Sequence, residues 1–322
     1  MSRKRLVKIA KTVLPLLLGV FLIWYSLSTA TPAERAELWN NIKLADGKWV
    51  VLSLFLGLLS HLSRAYRWKF LLQPMGYDPK FANSFMAVMG GYLANLGVPR
   101  SGEVLRGATI STYEKIPFEK AFGTIVSERI ADLLMLLLIV IFSFLIQTEG
   151  LLHYFQSHDI NPFLSIGVLL IAVLAGIIVL RIIKNSQHHL ILKVRKFARG
   201  LLEGMRSILK MKQKIAFLFH TVFIWLMYLL MFYVIKFSIP ETTDLSVAAI
   251  MAAFIVGTFA ISTTNGGIGV YPIAMGAVLL LFGINQQAGE AFGWILWGSQ
   301  TLLVIVLGGL SLLLLPLLNQ KK

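Results

Sequence analysis

The chain has 322 residues, of which 57% are hydrophobic and only 14% are charged. Soluble globular domains have about 45–50% apolar and about 25% charged residues, so this composition excludes a water-soluble globular domain. The sequence contains no cysteine, which excludes disulfide bonds, thiolate nucleophiles, cysteine-bound zinc and iron–sulfur clusters. In a membrane protein a net charge of +15 reflects basic cytoplasmic segments, and we expect no nucleic-acid partner.

Several apolar stretches are long enough to cross a bilayer, which requires about 20 residues per helix. The basic residues before the first stretch resemble those of a signal peptide, but so many apolar stretches follow that we expect a retained first helix. The six predicted spans are residues 7–28, 48–70, 120–147, 162–183, 214–238 and 290–317.

Two further stretches, residues 81–98 and 245–283, are apolar but interrupted by Gly, Pro and polar residues. Such interruptions are typical of broken or re-entrant membrane helices. The sequence therefore predicts an all-α polytopic membrane helix bundle with about six full spans and about eight membrane segments in total. We expect residues 1–322 to form a single integral membrane domain.

The loop from Arg181 to Lys214 contains ten basic residues and a single acidic residue, Glu203. The positive-inside rule places this loop and both termini in the cytoplasm, and we expect a multi-pass protein of a bacterial-type inner (plasma) membrane. Residues 184–213 place apolar side chains at three- and four-residue steps, which predicts a basic amphipathic helix. This helix either binds anionic lipid headgroups or only satisfies the charge rule and packs on the bundle.

The charge rule also constrains the two interrupted stretches. A complete crossing by residues 81–98 would place the basic loop outside, so we predict that the chain enters from the cytoplasm after Lys80, turns near residues 95–102 and returns by about Lys115. Residues 245–283 form either two crossings or one hairpin that opens outward. Broken helices that face opposite sides indicate a substrate site near the bilayer midplane.

Ionisable side chains at membrane depth cost about 2.5–3.5 kcal/mol each on insertion scales, so they are candidate substrate-binding or translocation residues. The first group surrounds the interruption after residue 94, where Glu103 and Arg106 can pair on one helical face. Its members are Asn95, Arg100, Glu103 and Arg106.

The second group is Glu128, Arg129 and Asp132, which lies within the third predicted span. Glu128 and Asp132 share a helical face at i, i+4, and Arg129 can reach Asp132 at i, i+3. Three ionisable groups so placed need partners, and we do not expect them to face lipid.

The third group, His61, Arg64 and Arg67, lies toward the cytoplasmic end of the second predicted span. Arg64 and Arg67 either snorkel to the interface or contact lipid headgroups. The bidentate guanidinium fork suits phosphate if that contact forms.

The fourth group is glycine-rich and precedes Pro272, which suits the first turn of a helix. The amides at that helix start either bind an anionic phosphodiester or belong to a packing hinge without a ligand. The group consists of Asn265, Gly266, Gly267 and Gly269.

The sequence lacks a Walker loop, a Rossmann fingerprint, an HExxH motif and a GxSxG motif. We therefore expect no catalytic residues, no metal site and no cofactor.

Three segments, NLGVPRSGEVLRG, SERIADLL and NGGIGV, follow one another along the chain. Together they resemble the lysylphosphatidylglycerol synthase transmembrane-region family of flippase-like integral membrane proteins, over nearly the whole chain. The resemblance assigns two of the family's polar motifs to residues of this chain. The first comprises Asn95, Pro99, Arg100, Gly102, Glu103 and Arg106, and the second comprises Glu128, Arg129 and Asp132.

The third motif departs from the family. A proline precedes the glycines in the family pattern and Arg-Glu follows them, whereas here Asn265 replaces the proline and Tyr271 and Pro272 occupy the Arg and Glu positions. A role that needs a carboxylate there is therefore not carried over. Full-length synthases of the family add a soluble aminoacyl-transfer domain, which we do not expect in this chain because residues 319–322 directly follow the last span.

The resemblance implies a lipid-binding, flippase-like transporter that moves an anionic or aminoacylated phospholipid, or a related amphiphile, between leaflets. Its expected partners are membrane phospholipids and anionic lipid headgroups. One alternative is a membrane-embedded lipid or polyprenyl-phosphate transferase with Glu128 or Asp132 as base or metal ligand. Another is a non-catalytic scaffold or regulator of envelope synthesis. The lipid, the energy source and the oligomeric state stay open.

Overall fold

The computed structural model describes residues 17–146 and 211–320. Of these residues 86% are helical and none forms a strand, which confirms the predicted all-α membrane bundle. We number the ten described α-helices α1 to α10 in chain order. They are α1 (Leu17–Thr29), α2 (Pro32–Lys43), α3 (Gly47–Leu72), α4 (Phe81–Gly97), α5 (Ser101–Glu114), α6 (Phe118–Ile146), α7 (Lys214–Ile235), α8 (Val247–Thr263), α9 (Val270–Leu280) and α10 (Gln286–Leu318).

Four helical segments match predicted spans and are apolar enough to cross a membrane: Gly47–Met75, Phe118–Ile146, Lys214–Ser238 and Gln286–Leu318. The shortest has 25 residues and is about 38 Å long at 1.5 Å per residue. That length exceeds the roughly 30 Å of a hydrocarbon core. The protein is therefore a multi-pass membrane protein.

Several predicted segments lie partly or wholly outside the described residues. The first predicted span is described only from Leu17 onward. The span at residues 162–183 and most of the amphipathic helix at residues 184–213 lie in the gap, although residues 211–213 form an irregular turn before α7.

The chain divides into two compact units, Met1–Ile125 with Lys212–Lys322 and Val126–Met211. The first unit contains α1 to α5, the beginning of α6, and α7 to α10. Within its described part, the second unit consists almost entirely of the remainder of α6. The expectation of a single membrane domain stays a prediction.

Short polar side chains set where several helices begin, because they accept hydrogen bonds from the first unsatisfied amides. The Asp46 carboxylate accepts from the Lys48 amide at the start of α3, and Asn285 accepts from the Ala288 amide at the start of α10. A side-chain hydrogen bond from Lys48 also holds the pKa of Asp46 below its usual value. These two caps set the first residues of α3 and α10, which are both candidate membrane spans.

Helices α4 and α5 form an antiparallel hairpin, here called the first hairpin, joined by residues 98–100. With 17 and 14 residues, the helices are about 26 Å and 21 Å long. Neither reaches the roughly 30 Å that a full crossing requires. The broken-helix form predicted for this stretch is confirmed, while the side from which it enters the membrane stays a prediction.

Helices α8 and α9 form a second hairpin across the break at residues 264–269. Gly257 of α8 lies against the Tyr271 ring of α9, and Gly267 lies against Ile261, so the two helices run antiparallel. Helix α9 has 11 residues and is about 17 Å long, which is too short to cross a membrane. The hairpin interpretation therefore fits residues 245–283 better than two complete spans.

We expect Lys115→Gly to raise the stability of the protein. Lys115 ends α5 with φ 56° and ψ 29°, a left-handed conformation that costs a side-chain-bearing residue about 1–2 kcal/mol and that glycine adopts freely. Part of this gain is offset because glycine also gains freedom in the unfolded chain. Thermal unfolding in detergent micelles measures the effect, with Lys115→Ala as the control that removes the side chain but keeps the strain. Equal midpoints for the two variants would contradict the prediction.

Candidate functional site

The turn of the first hairpin is held by hydrogen bonds between its two helices. Helix α4 ends at Gly97, and Arg100 adopts a left-handed conformation with φ 61° before α5 begins. The Asn95 carboxamide oxygen accepts a hydrogen bond from the Gly102 amide at 2.7 Å. The Ser101 hydroxyl donates to the Ala94 carbonyl at 3.0 Å. Asn95 therefore acts first as the partner of a free amide at the start of α5.

Two glycines allow α4 and α5 to approach each other closely. A Cβ added to Gly102 would overlap the Gly91 carbonyl oxygen, and one added to Gly91 would lie 2.9 Å from the Gly102 carbonyl oxygen. On the other side of α4, a Cβ on Gly90 would lie 2.9 Å from a methyl of Leu312 in α10. The adjacent glycines thus pack α4 against two different helices, as small residues do in membrane bundles.

Arg106 lies about 9 Å along α5 from the turn, six residues after Arg100. Its side chain is buried, and its guanidinium stacks on the Trp68 ring with 3.8 Å between the guanidinium carbon and the ring centroid. The Trp68 indole N–H donates to the Thr124 hydroxyl at 2.7 Å. A cation over an indole face is stabilised by the ring quadrupole, more so when it is removed from water.

Arg64 and Arg67 of α3 are buried, Arg67 completely. A terminal nitrogen of Arg67 donates to the Thr221 hydroxyl of α7 at 2.9 Å, and its guanidinium lies 5.3 Å from the Phe217 ring centroid. Because Arg67 is enclosed by protein, the snorkelling interpretation is wrong for this residue. Three arginines of the described residues are thus buried in protein, Arg64, Arg67 and Arg106, and we call them the buried arginines.

The other two residues of the first predicted group lie in different environments. Arg100 is exposed at the turn, and Glu103 is half-buried in the first turn of α5. A carboxylate at this position interacts favourably with the positive end of the helix dipole.

The turn of the second hairpin requires glycine at three positions. Gly266, Gly267 and Gly269 have φ values of 65°, 85° and 74°, which side-chain-bearing residues adopt only at a cost. The Trp297 indole N–H of α10 donates to the Gly266 carbonyl at 2.7 Å. The backbone freedom expected from these glycines is thus present, and α10 holds the turn in place.

The turns of the two hairpins meet. The buried Asn265 carboxamide donates to the Gly97 carbonyl at 3.2 Å, and a Cβ on Gly266 would lie 2.7 Å from a methyl of Leu96. Two interrupted hairpins from distant parts of the sequence therefore contact each other at their non-helical ends. We call this contact the turn junction.

Helix α1 packs against the second turn from another side. A Cβ on Gly269 would overlap the Gly19 carbonyl oxygen, and one on Gly19 would lie against the Ile268 carbonyl. The sequence allowed the amides at the start of α9 to bind a phosphodiester. This needs correction on the side of Gly269 that faces α1, because the backbone of α1 occupies that space. The packing-hinge interpretation describes this side of the turn better.

The second predicted group lies on α6 within the second unit. Glu128 and Asp132 are buried, in agreement with their expected common face. Arg129 is exposed, and the expectation that it does not face lipid stays a prediction. Its position follows from geometry, since one helical step rotates a side chain by about 100° away from its neighbour.

Comparison with known proteins gives a match over most of the chain. The family model described as the lysylphosphatidylglycerol synthase TM region matches residues 12–309. The chain belongs to this family. Its membership confirms the resemblance found in the polar motifs and connects the protein with phospholipid handling at the level of the family.

A curated relative matches a smaller part of the chain. A UPF0104 membrane protein of Methanocaldococcus jannaschii is 34% identical over 98 residues, which cover 30% of this chain and 29% of that protein. The chain thus aligns with less than a third of the relative's length. No solved structure matches the chain significantly.

The structure of this family member also contains functional candidates that the sequence interpretation missed. Trp68 contacts the Arg106 guanidinium and Trp297 holds the turn junction, but the spacing of these tryptophans did not distinguish them from packing residues. Glu290 was missed because it lay at the edge of the predicted span 290–317, whereas α10 begins at Gln286 and buries it. The signal was present in the sequence, since Glu290 is the only charged residue of α10.

Proposed function

We propose that the protein binds a phospholipid with an anionic or aminoacylated headgroup and moves it between the leaflets of a bacterial-type inner membrane, with both termini in the cytoplasm. The observation that carries this proposal is the turn junction, in which Asn265 bonds to Gly97. The phospholipid connection of the family supports the substrate class.

Non-helical backbone at membrane depth is tolerated only where protein buries it or where it lines a polar cavity. In transporters built from broken helices, such segments supply amides and carbonyls to a substrate near the midplane. The turn junction brings two such segments together, and Asn95 and Asn265 add carboxamide groups on either side of it. A polar headgroup that exchanges with these internal contacts would therefore find hydrogen-bonding groups here in place of water.

The buried arginines supply the positive charge that an anionic headgroup requires. Each guanidinium has five N–H donors and binds phosphate oxygens in bidentate fashion. In the first unit, Arg106 lies on the same hairpin as the turn, and Glu103 can meet the ammonium of an aminoacylated headgroup. Within the second unit, Glu128, Arg129 and Asp132 stay candidate translocation residues.

Arg106→Gln is the variant that tests this role. A hydrogen bond to a charged group contributes about 1.5–3 kcal/mol, so its loss in the rate-limiting step should slow transport roughly ten- to a hundredfold. The protein is reconstituted in liposomes with headgroup-labelled phosphatidylglycerol or its lysylated form. Access of a membrane-impermeant quencher to the label then reports movement between leaflets.

Arg35→Gln is the matched control, because it removes the same charge from an exposed position on α2. It should transport like the wild type. Normal transport by a correctly folded Arg106→Gln variant would refute the role of Arg106. If the folded wild type moves neither lipid, the transferase and scaffold alternatives take precedence, and a covalent lipid product would distinguish between them.

A further inference from the structure

Glu290 is a buried carboxyl group to which the proposed lipid path assigns no role. It lies about 6 Å from the first residue of α10, and its residue surface is only 6% exposed. Burial of an ionised carboxylate is costly unless compensating partners are present. The nature of its partners therefore decides what this residue can do.

Both hydrogen-bond partners of Glu290 are neutral. The Ser26 hydroxyl of α1 donates to one carboxylate oxygen at 3.2 Å, and the Gln286 carboxamide donates to the other at 3.0 Å. A Cβ on Gly276 of α9 would lie only 2.7 Å from Cγ of Glu290. The carboxyl group is thus enclosed by three helices, and it joins α1 to α10.

Glu290 forms no ion pair with any described residue, and few charged groups face it. Helices α9 and α10 and the described part of α1 contain no other charged residue, and their titratable residues are Tyr25 and Tyr271. From α2, Glu37 accepts a hydrogen bond from Asn285. The elements packed near the start of α10 also carry Glu34, Arg35 and Lys43 on α2, Glu241 in the turn Pro240–Thr242, and Lys236 after α7, whose ammonium donates to the Leu245 carbonyl.

These partners accommodate the carboxyl group in both protonation states. A hydroxyl both donates and accepts, so Ser26 can donate to the carboxylate and, after rotation, accept from the carboxylic acid. The Gln286 carboxamide can donate to a carbonyl oxygen in either state. A lysine or arginine partner would instead favour the charged form alone.

We propose that Glu290 is a reversible proton-binding site through which the protein couples lipid movement to a proton gradient. The coupling half of this inference rests on the proposed transport function. In the proposed orientation, the start of α10 faces the outside, so the proton enters from there and converts the carboxylate to a carboxylic acid. The Ser26–Glu290 hydrogen bond then changes direction at the contact between α1 and α10, about 10 Å along α1 from Gly19, which contacts the second turn.

Proton binding is tested on the purified full-length protein, independently of transport. Infrared difference spectra are recorded between about pH 8 and about pH 5 for the wild type, Glu290→Gln and Glu37→Gln. We expect a carboxylic-acid carbonyl band that grows as the pH falls, persists in Glu37→Gln and is lost in Glu290→Gln. If the wild type shows no pH-dependent carboxylic-acid band that is missing from Glu290→Gln, Glu290 is not a proton-binding site.

Coupling is tested in liposomes with and without a difference of one pH unit across the membrane. For a lipid coupled to one proton, this gradient is worth 1.36 kcal/mol and shifts the leaflet distribution up to about tenfold. We expect the shift in the wild type and in Glu37→Gln, and no shift in a Glu290→Gln variant that still equilibrates the lipid. A shift that survives in Glu290→Gln, or is absent from an active wild type, overturns the coupling. A wild type without any lipid movement refutes the proposed transport function and with it the coupling, while the infrared result still decides the proton site.

Discussion

Gly102→Ala is expected to disrupt the packing of the first hairpin and to lower the thermal stability of the protein. The new Cβ would overlap the Gly91 carbonyl oxygen and would lie 2.7 Å from the carboxamide nitrogen of Asn95. Overpacking typically costs about 1–3 kcal/mol, and we expect the upper part of this range because a backbone oxygen cannot rotate away. The midpoint of thermal unfolding in detergent micelles measures the effect.

Gly97→Ala is a control on the same hairpin. A Cβ on Gly97 meets no atom within 4 Å, and alanine is the better helix former by up to about 1 kcal/mol. Gly97→Ala should therefore leave stability unchanged or raise it slightly. If the two variants destabilise the protein equally, the loss reflects glycine flexibility and the close approach of α4 and α5 is not the cause.

The two hairpins were predictable because hydropathy and interruption are local properties. Pro99 with its neighbouring glycines ends α4, and the glycines at residues 266–269 separate α8 from α9. A stretch with such breaks cannot continue as one helix over the roughly 30 Å of a bilayer core. Local composition was therefore sufficient to identify both turns.

The turn junction was not predictable, because Asn265 and Gly97 are 168 positions apart in the sequence. Nothing in either local pattern specifies the partner. Arg67 illustrates the same limit, since its burial depends on Thr221 of α7, 154 positions away. Hydropathy alone predicts that an arginine near a span end reaches water, whereas here α7 packs against Arg67 and buries it.

The arrangement gives α1 a direct part in the candidate site. Helix α1 contacts the second turn through Gly19, and its Ser26 hydroxyl donates a hydrogen bond to the buried Glu290 carboxyl group. A motion of α1 would therefore act on the turn junction and on Glu290 together. Packing of α1 at Gly269 is accordingly the feature whose loss should affect the site most broadly.

Gly269→Ala tests this packing, and Gly283→Ala provides the matched control. Both glycines have positive φ, 74° and 82°, so either substitution imposes a backbone cost, which is larger at Gly269 because its ψ of −42° lies outside the left-handed helical region. Only Gly269 is in close contact, because its Cβ would overlap the Gly19 carbonyl oxygen, whereas a Cβ on Gly283 meets no atom within 4 Å. The difference between the two variants therefore reports the contact between α1 and the second turn together with the additional backbone strain at Gly269.

We expect Gly269→Ala to lower stability by about 1–3 kcal/mol more than Gly283→Ala, the usual range for overpacking. It should also slow lipid movement in liposomes, because the new Cβ would push α1 away from the turn that the proposed path uses. Gly283→Ala should slow lipid movement little, because its strain lies in the exposed connection between α9 and α10. Equal losses in the two variants would assign the whole effect to backbone strain and would leave α1 without a role at the turn junction.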